Sequence, residues 1–304
     1  MLKEPLVREA VSIVSPLRYP GGKRRLAGYI ADALSLNSLK PKLFVEPFAG
    51  GASVALQLLA DERVEAIALG DRDPLVASFW KVVFWDTAWL MKRIKRIAVT
   101  VRNWNHFRNN TWRSDRERAL ACLFLNRTSF SGILADTAGP IGGKEQDSNY
   151  LIDCRFPVET LIRRIEQAAE LKEKVLFVNS RDWRHTVNRV EKLNYTLNEI
   201  FYYLDPPFYA KAERLYRFHF EETDHDTLHD KLRDLEQPWL LSYDVSEEIF
   251  AKYSHNSRGP QRIDLLYSIK GSSGVSQSQE IIITNLAKLP RRTRLWRSNR
   301  EWKA

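Results

Sequence analysis

The chain has 304 residues, 44% of them hydrophobic, with a formal net charge of +9 and a pI near 9.5. That is enough apolar material for one large domain with an insertion, or for two domains, and it excludes a disordered chain. No run is apolar and long enough to span a bilayer, and Met1–Pro5 lacks the apolar core of a signal peptide. The two cysteines, Cys122 and Cys154, form neither a disulfide framework nor a ligand-spaced pair, so the expected compartment is a reducing cytoplasm.

Leu43–Val45 reads as a short buried strand, followed by the turn Glu46-Pro47-Phe48-Ala49-Gly50-Gly51 and a helix over Val54–Leu59. Ala66–Leu69 is a second strand ending at Asp71, with a helix opening after Pro74. Between Trp80 and Phe156 the alternation lapses: the chain is helical at Arg116–Leu125, then loop-rich through Gly132, Gly139-Pro140 and Gly142-Gly143. Strands return at Val175–Val178, Ile200–Leu204 and Trp239–Ser242, with helices between them, one beginning near Thr223-Asp224. Ile263–Ile269 and Glu280–Asn285, joined by Gly271–Gly274, suggest an antiparallel hairpin. The pattern predicts a wound α/β sheet made mixed by that hairpin. It divides the chain into a discontinuous domain (1–81 and 156–286), an inserted, mostly helical subdomain (82–155) and a basic tail (287–304), flexible in isolation from Lys288 onward.

The positive charge is clustered. Lysines and arginines from Lys92 to Arg118 interleave with Trp104, Phe107 and Trp112, and a second group from Arg291 to Arg300 surrounds Trp296. Solubility is the plain reading of such charge; cations among aromatics are also the footprint of a nucleic-acid face. His225 and His229, four apart on a helix, lack further ligands and read as solvated polarity. Trp80, Phe84, Trp85 and Trp89 read as packing, and Cys122 as a small buried apolar residue.

Ligands of open α/β sheets bind outside the carboxyl ends of parallel strands, where four polar strand ends fall here. The glycine turn at Gly50 lets backbone approach a ligand, or serves geometry alone. Asp71 can accept both hydroxyls of a ribose, or cap a helix. Asp182 can accept from an adenine amine. The fourth end, Asp205-Pro206-Pro207-Phe208, offers a carboxylate and a prolyl carbonyl as acceptors with no competing N–H, beside a ring on which a heterocycle can stack.

In order, Tyr19-Pro20-Gly21-Gly22-Lys23, Phe44–Gly51, Gly70-Asp71, Leu125-Asn126-Arg127, Asp182 and Asp205-Pro206-Pro207-Phe208 resemble the Dam-like (D12, α-class) adenine-specific DNA methyltransferases across residues 17–285. The resemblance implies a Rossmann-like class I methyltransferase sheet, S-adenosyl-L-methionine as donor, no metal, and N6 of adenine in double-stranded DNA as acceptor. It assigns Tyr19, Lys23, Phe48, Gly50, Asp71 and Asp182 to the cofactor, and Asp205, Pro206 and Phe208 to the target base. The insertion stands where the family keeps its target-recognition domain, with Asn126, Arg127, Phe130 and Ser131 in a DNA-contacting segment. A cognate restriction endonuclease is a candidate partner, the expected state is a monomer or weak dimer, and the expected origin is bacterial or phage.

The chain departs from the family in three places. Phe208 replaces the usual tyrosine, which keeps the stacking face and loses the hydroxyl; Ala52 replaces the last glycine of the turn; and Leu134–Tyr150 differs enough that GATC recognition does not transfer. Transfer to another planar amine (cytosine N4, RNA adenine or a protein amide) is the alternative, although those families favour Ser or Asn where this chain has Asp205. A nucleic-acid-binding homologue without catalysis is the other.

Overall fold

Runs of four to ten residues, largely apolar in the first five and mixed in the last two, build the strands β1 (Leu43–Glu46), β2 (Ala66–Gly70), β3 (Val175–Asn179), β4 (Ile200–Leu204), β5 (Trp239–Asp244), β6 (Gln261–Ser268) and β7 (Val275–Thr284). The structure is a computed structural model describing residues 12–18, 23–209, 212–255, 259–268 and 275–295. The seven strands form one sheet in the order β3-β2-β1-β4-β5-β7-β6. β1 to β5 run parallel, and β7 runs antiparallel to both β5 and β6, so the expected mixed sheet is present. The order reverses between β1 and β4, the switch point at which such sheets open a crevice.

The helices are α1 (Arg24–Leu36), α2 (Ser53–Ala60), α3 (Pro74–Trp85), α4 (Thr87–Ile94), α5 (Val101–Asn109), α6 (Asp115–Thr128), α7 (Val158–Ala169), α8 (Trp183–Glu191), α9 (Ala212–Leu215), α10 (Glu222–Asp234) and α11 (Glu247–Lys252). Because the central strands are buried on both faces, their side chains divide by parity. Leu43, Val45, Tyr202 and Leu241 share one cluster with residues of α8, α10 and α11. Phe44, Phe201, Tyr203 and Leu240 belong to the other, with α1, α2 and α3. None of the described helices is long and apolar enough to cross a membrane.

The segment 82–155 packs into the second cluster, where Trp80, Phe84, Phe107 and Phe124 are continuous with Phe44 and Ile67 of the sheet. The expected boundary at residue 81 falls inside α3. α6 starts at a reciprocal capping box between Ser114 and Glu117 and is buried without a break from Ala119 to Thr128. Trp80 and Phe84 are core, as expected, and Trp89 is half-buried against it. Trp85 corrects the expectation: at the last position of α3 it is 53% exposed, with only an edge contact to Phe84.

The chain beyond β7 also differs from a free tail. Asn37 donates to the Lys288 carbonyl (2.7 Å) and accepts from its amide (2.9 Å), and Arg292 pairs with Asp32 (2.7 Å). Asp264 N–H donates to the Thr293 carbonyl (2.7 Å), which ties this stretch to β6 as well. The residues from Trp296 onward and the connection Gly271–Gly274 lie outside the described residues.

Candidate active site

At the end of β1 the chain turns sharply, with Gly50 at φ +45°, a left-handed conformation that favours glycine. Ala52 holds φ +46° in the same turn, a cost of about 1–2 kcal/mol at the position where the glycine is missing. The turn is fastened from both sides: Gly50 N–H donates to Asp71 Oδ2 (2.9 Å) and Trp80 Nε1–H donates to the Gly50 carbonyl (2.8 Å). Asp71 Oδ1 accepts from the Asp73 amide (2.8 Å). The helix cap is Asp73, which accepts from Leu75 N–H (2.9 Å) and pairs with Arg217 (2.9 Å). Asp71 therefore does not cap the helix. Burial first, then the neighbouring Asp73, pushes its carboxyl up to about 7.

Asp182 opens α8 and accepts from the Arg184 amide (3.0 Å) and Nε (2.7 Å). Burial acts to raise its pKa, but the bonds from Arg184 outweigh it and hold the carboxyl below its ordinary value.

Asp205 leaves β4 with 23% of its side chain exposed. Its Oδ1 accepts from Ser242 Oγ (2.8 Å), whose oxygen also meets Tyr203 OH (2.9 Å), and faces Lys23 Nζ at 3.4 Å. Burial raises the Asp205 pKa against the opposing pull of Lys23 and Ser242. Pro206 is buried and Phe208 half-buried. The Phe208 ring stands edge-on to Tyr216 at 5.8 Å, with Lys23 Nζ 5.3 Å from its centroid.

Residues far apart in the chain meet at one cavity. Lys23, Phe48, Gly50, Asp71, Asp182 and Asp205 all line it, together with Asp73, Trp183, Tyr216 and Phe220. A family model, D12 class N6 adenine-specific DNA methyltransferase, matches residues 19–269. The chain belongs to this family. It is an enzyme that methylates adenine at N6 in DNA, built on the class I methyltransferase sheet. A comparison with curated proteins finds no match.

Of the residues assigned to the cofactor, Tyr19 lies outside the described residues. Gly132 and Leu134 carry the middle segment to the rim of the methyltransferase cavity. The four residues expected to contact DNA separate there. Asn126 is fully buried: its Oδ1 accepts from Arg18 N–H (2.7 Å), and its Nδ2 donates to the carbonyls of Arg18 (2.7 Å) and Gly132 (2.9 Å). Gly132 sits at φ +77°, where a Cβ would collide with the Arg18 carbonyl. Arg127 is 5% exposed and donates from Nε to the Arg155 carbonyl (2.7 Å). Burial, with Arg18, Arg164 and Arg155 nearby, pulls its pKa down to about 9. Phe130 is 56% exposed, and Ser131 beside it is half-buried at φ +56°. Surface is thus presented by Phe130 and Ser131, while Asn126 and Arg127 face inward.

The reading of His225 as solvated is corrected: it is 2% exposed, its Nδ1 lies 2.6 Å from Tyr243 OH, and burial lowers its pKa to about 4. His229 contacts Asp230 (3.3 Å) and the Tyr253 ring, away from any ligand set. Asp73, Trp183, Tyr216 and Phe220 of the cavity wall, and Glu280 paired with Lys23, escaped the sequence reading. Tyr216 gave no signal. Glu280 gave one, as the lone carboxylate ahead of Ile281-Ile282-Ile283.

Proposed function

We propose that the enzyme moves the methyl group of S-adenosyl-L-methionine to an adenine flipped out of double-stranded DNA, and that Asp205 and the Pro206 carbonyl hold the target amine. The observation that carries this is the convergence of Lys23, Asp71, Asp182 and Asp205 on one cavity. The wall suits a cationic, partly aromatic ligand: it carries the carboxylates Glu46, Asp71, Asp73, Asp182 and Asp205, and the rings of Phe48, Trp183 and Phe220. Asp71 would take the ribose hydroxyls, Asp182 the adenine amine, Gly50 the backbone approach, and Lys23 with Tyr19 the methionine end. When bound, the donor supplies a methyl activated by a sulfonium.

The exocyclic nitrogen of adenine is a weak nucleophile because its lone pair is delocalised into the ring. The Asp205 carboxylate and the Pro206 carbonyl accept its two hydrogens and localise that lone pair, and fixed positioning contributes most of the rate. Burial keeps Asp205 a better proton acceptor than a solvated carboxylate, so the amine proton can leave to it late or to water. Extruding the base costs a few kcal/mol, of which stacking on Phe208 returns about 1–3 kcal/mol.

The segment 82–155 acts as the recognition unit in this proposal. Exposed Phe130, two positions before cavity-lining Gly132, and the exposed cations Lys92, Arg93, Arg102 and Arg113 speak for it. Action in the cytoplasm is part of the same proposal, with both cysteines free as its support. The test is product analysis: duplex DNA is incubated with methyl-labelled donor and digested to nucleosides. Label in N6-methyladenine is expected. Label in N4-methylcytosine, or none, overturns the proposal.

A further inference from the structure

Glu280 lies beyond the matched segment 19–269. On β7 it stands opposite Asp244 of β5 and Ile263 of β6, so its neighbours on both sides are strands, and it is 2% exposed. Its Oε1 holds Lys23 Nζ, itself 4% exposed, from 257 positions away in the chain. The same ammonium is 3.4 Å from Asp205 Oδ1. One buried cation thus stands between the buried carboxylate of Glu280 and the half-buried one of Asp205, of which only Asp205 lines the cavity.

Among the described residues, the contacts of Asp205 fall on one carboxylate oxygen. Ser242 donates to Oδ1 and Lys23 faces Oδ1, which leaves Oδ2 for a ligand. We propose that Glu280 is a positioning residue for methyl transfer: by anchoring Lys23 it keeps the ammonium at Oδ1 of Asp205 and off Oδ2, so that Oδ2 remains a full-strength acceptor for the target amine. This rests on the role given to Asp205 above.

The argument is electrostatic. A buried ammonium with a single carboxylate partner pairs with it directly, since the attraction grows as the dielectric falls. Without the Glu280 charge, the pull of Lys23 toward Asp205 would go unopposed from the β7 side, and the ammonium would close on the carboxylate that must receive the base. With both carboxylates ionised, the three groups carry a net single negative charge. Lys23 is drawn to the β7 side, and Asp205 keeps its accepting power. Burial, opposed by Lys23, raises the Glu280 pKa to about 7; burial acts to lower that of Lys23, but Asp205 and Glu280 outweigh it and raise it. Other titratable groups facing the triad are Tyr203 on β4, Tyr216 after it, Asp244 and Tyr243 on β5, and Glu46 at the end of β1.

The test compares Glu280→Gln, Glu280→Asp and Asp205→Ala in the full chain, measuring kcat, the KM for the donor and the pH dependence of kcat. Glu280→Gln is expected to lower kcat by about 10–100-fold with the donor KM changed by less than about threefold. Its acid limb is expected to move to lower pH, because Lys23 then neutralises Asp205 alone. Glu280→Asp keeps the charge, so a smaller loss of kcat with an unmoved limb is expected. A Glu280→Gln enzyme with kcat within about twofold of the parent, or a loss with an unmoved limb, overturns the proposal. Should Glu280→Gln fail to fold, Glu280→Asp decides: reduced kcat at intact donor affinity supports the role, and unchanged kcat overturns it. An active Asp205→Ala enzyme would instead remove the reading of Asp205 on which the inference stands.

Discussion

Asp71, Asp182 and Asp205 each follow a different strand of the parallel sheet, whereas Asn126, Arg127, Phe130 and Ser131 follow one another through a single helix end and turn. Parallel strands in register deliver their successors to one edge, so each carboxylate meets the same cavity whatever its distance in the chain. A helix end packed into the core distributes its residues around its axis, and some of them must face inward. Asn126 and Arg127 do, and their polar groups tie Arg18, Gly132 and Arg155 together. A motif at a strand end thus assigns a chemical position. A motif on a buried helix assigns only a neighbourhood.

The largest expected break in the first region is Asp71→Ala. It removes a proposed ribose acceptor and the tether on Gly50 together. Donor affinity should fall by about 10–100-fold, from the loss of charged hydrogen bonds, as read by calorimetric titration. An unchanged dissociation constant would detach Asp71 from the cofactor.

The second region is sharpened by a pair of variants with opposite signatures. Asn126→Ala should cost about 1–3 kcal/mol in denaturant unfolding, because it leaves backbone groups of Arg18 and Gly132 without their buried partner. Phe130→Ala should leave stability within about 0.5 kcal/mol while weakening DNA binding several-fold in a mobility-shift titration. If the two behave alike, the division between inward and outward residues is wrong.

The smallest effect concerns pH. The folded pKa of Asp71, about 7, lies above that of a solvated carboxylate. Its contribution to stability is therefore fully present below the unfolded value near pH 4 and is lost as pH rises through about 7. Glu46, raised well above its ordinary value chiefly by burial, adds in the same direction. Unfolding midpoints of the free enzyme should fall between about pH 4 and 7, and Asp71→Asn should flatten that slope. An equally steep slope in the variant would place the titration elsewhere.

Much of this contrast is legible in the sequence. Strands such as Ile200–Leu204 declare themselves as apolar runs, and a polar residue just beyond each run has one place to go. The helices of 82–155 were harder to delimit. In α5 only Trp104 and Phe107 are buried amid polar residues, and α4 buries only Leu90 and Ile94, too few to fix a period. The choice between Asp71 and its neighbours as helix cap depends on turn geometry, which awarded the cap to Asp73. Glu280 was hidden for a related reason, since its partner Lys23 becomes a neighbour only after β7 inserts beside β5.

The claim on which the whole account depends is that Asp205 receives the target amine. It is tested most directly by Asp205→Ala in a labelled methyl-transfer assay on duplex DNA, paired with a donor titration of the same preparation. The account predicts that transfer is abolished while the donor still binds with measurable affinity. Continued transfer by that variant would contradict it.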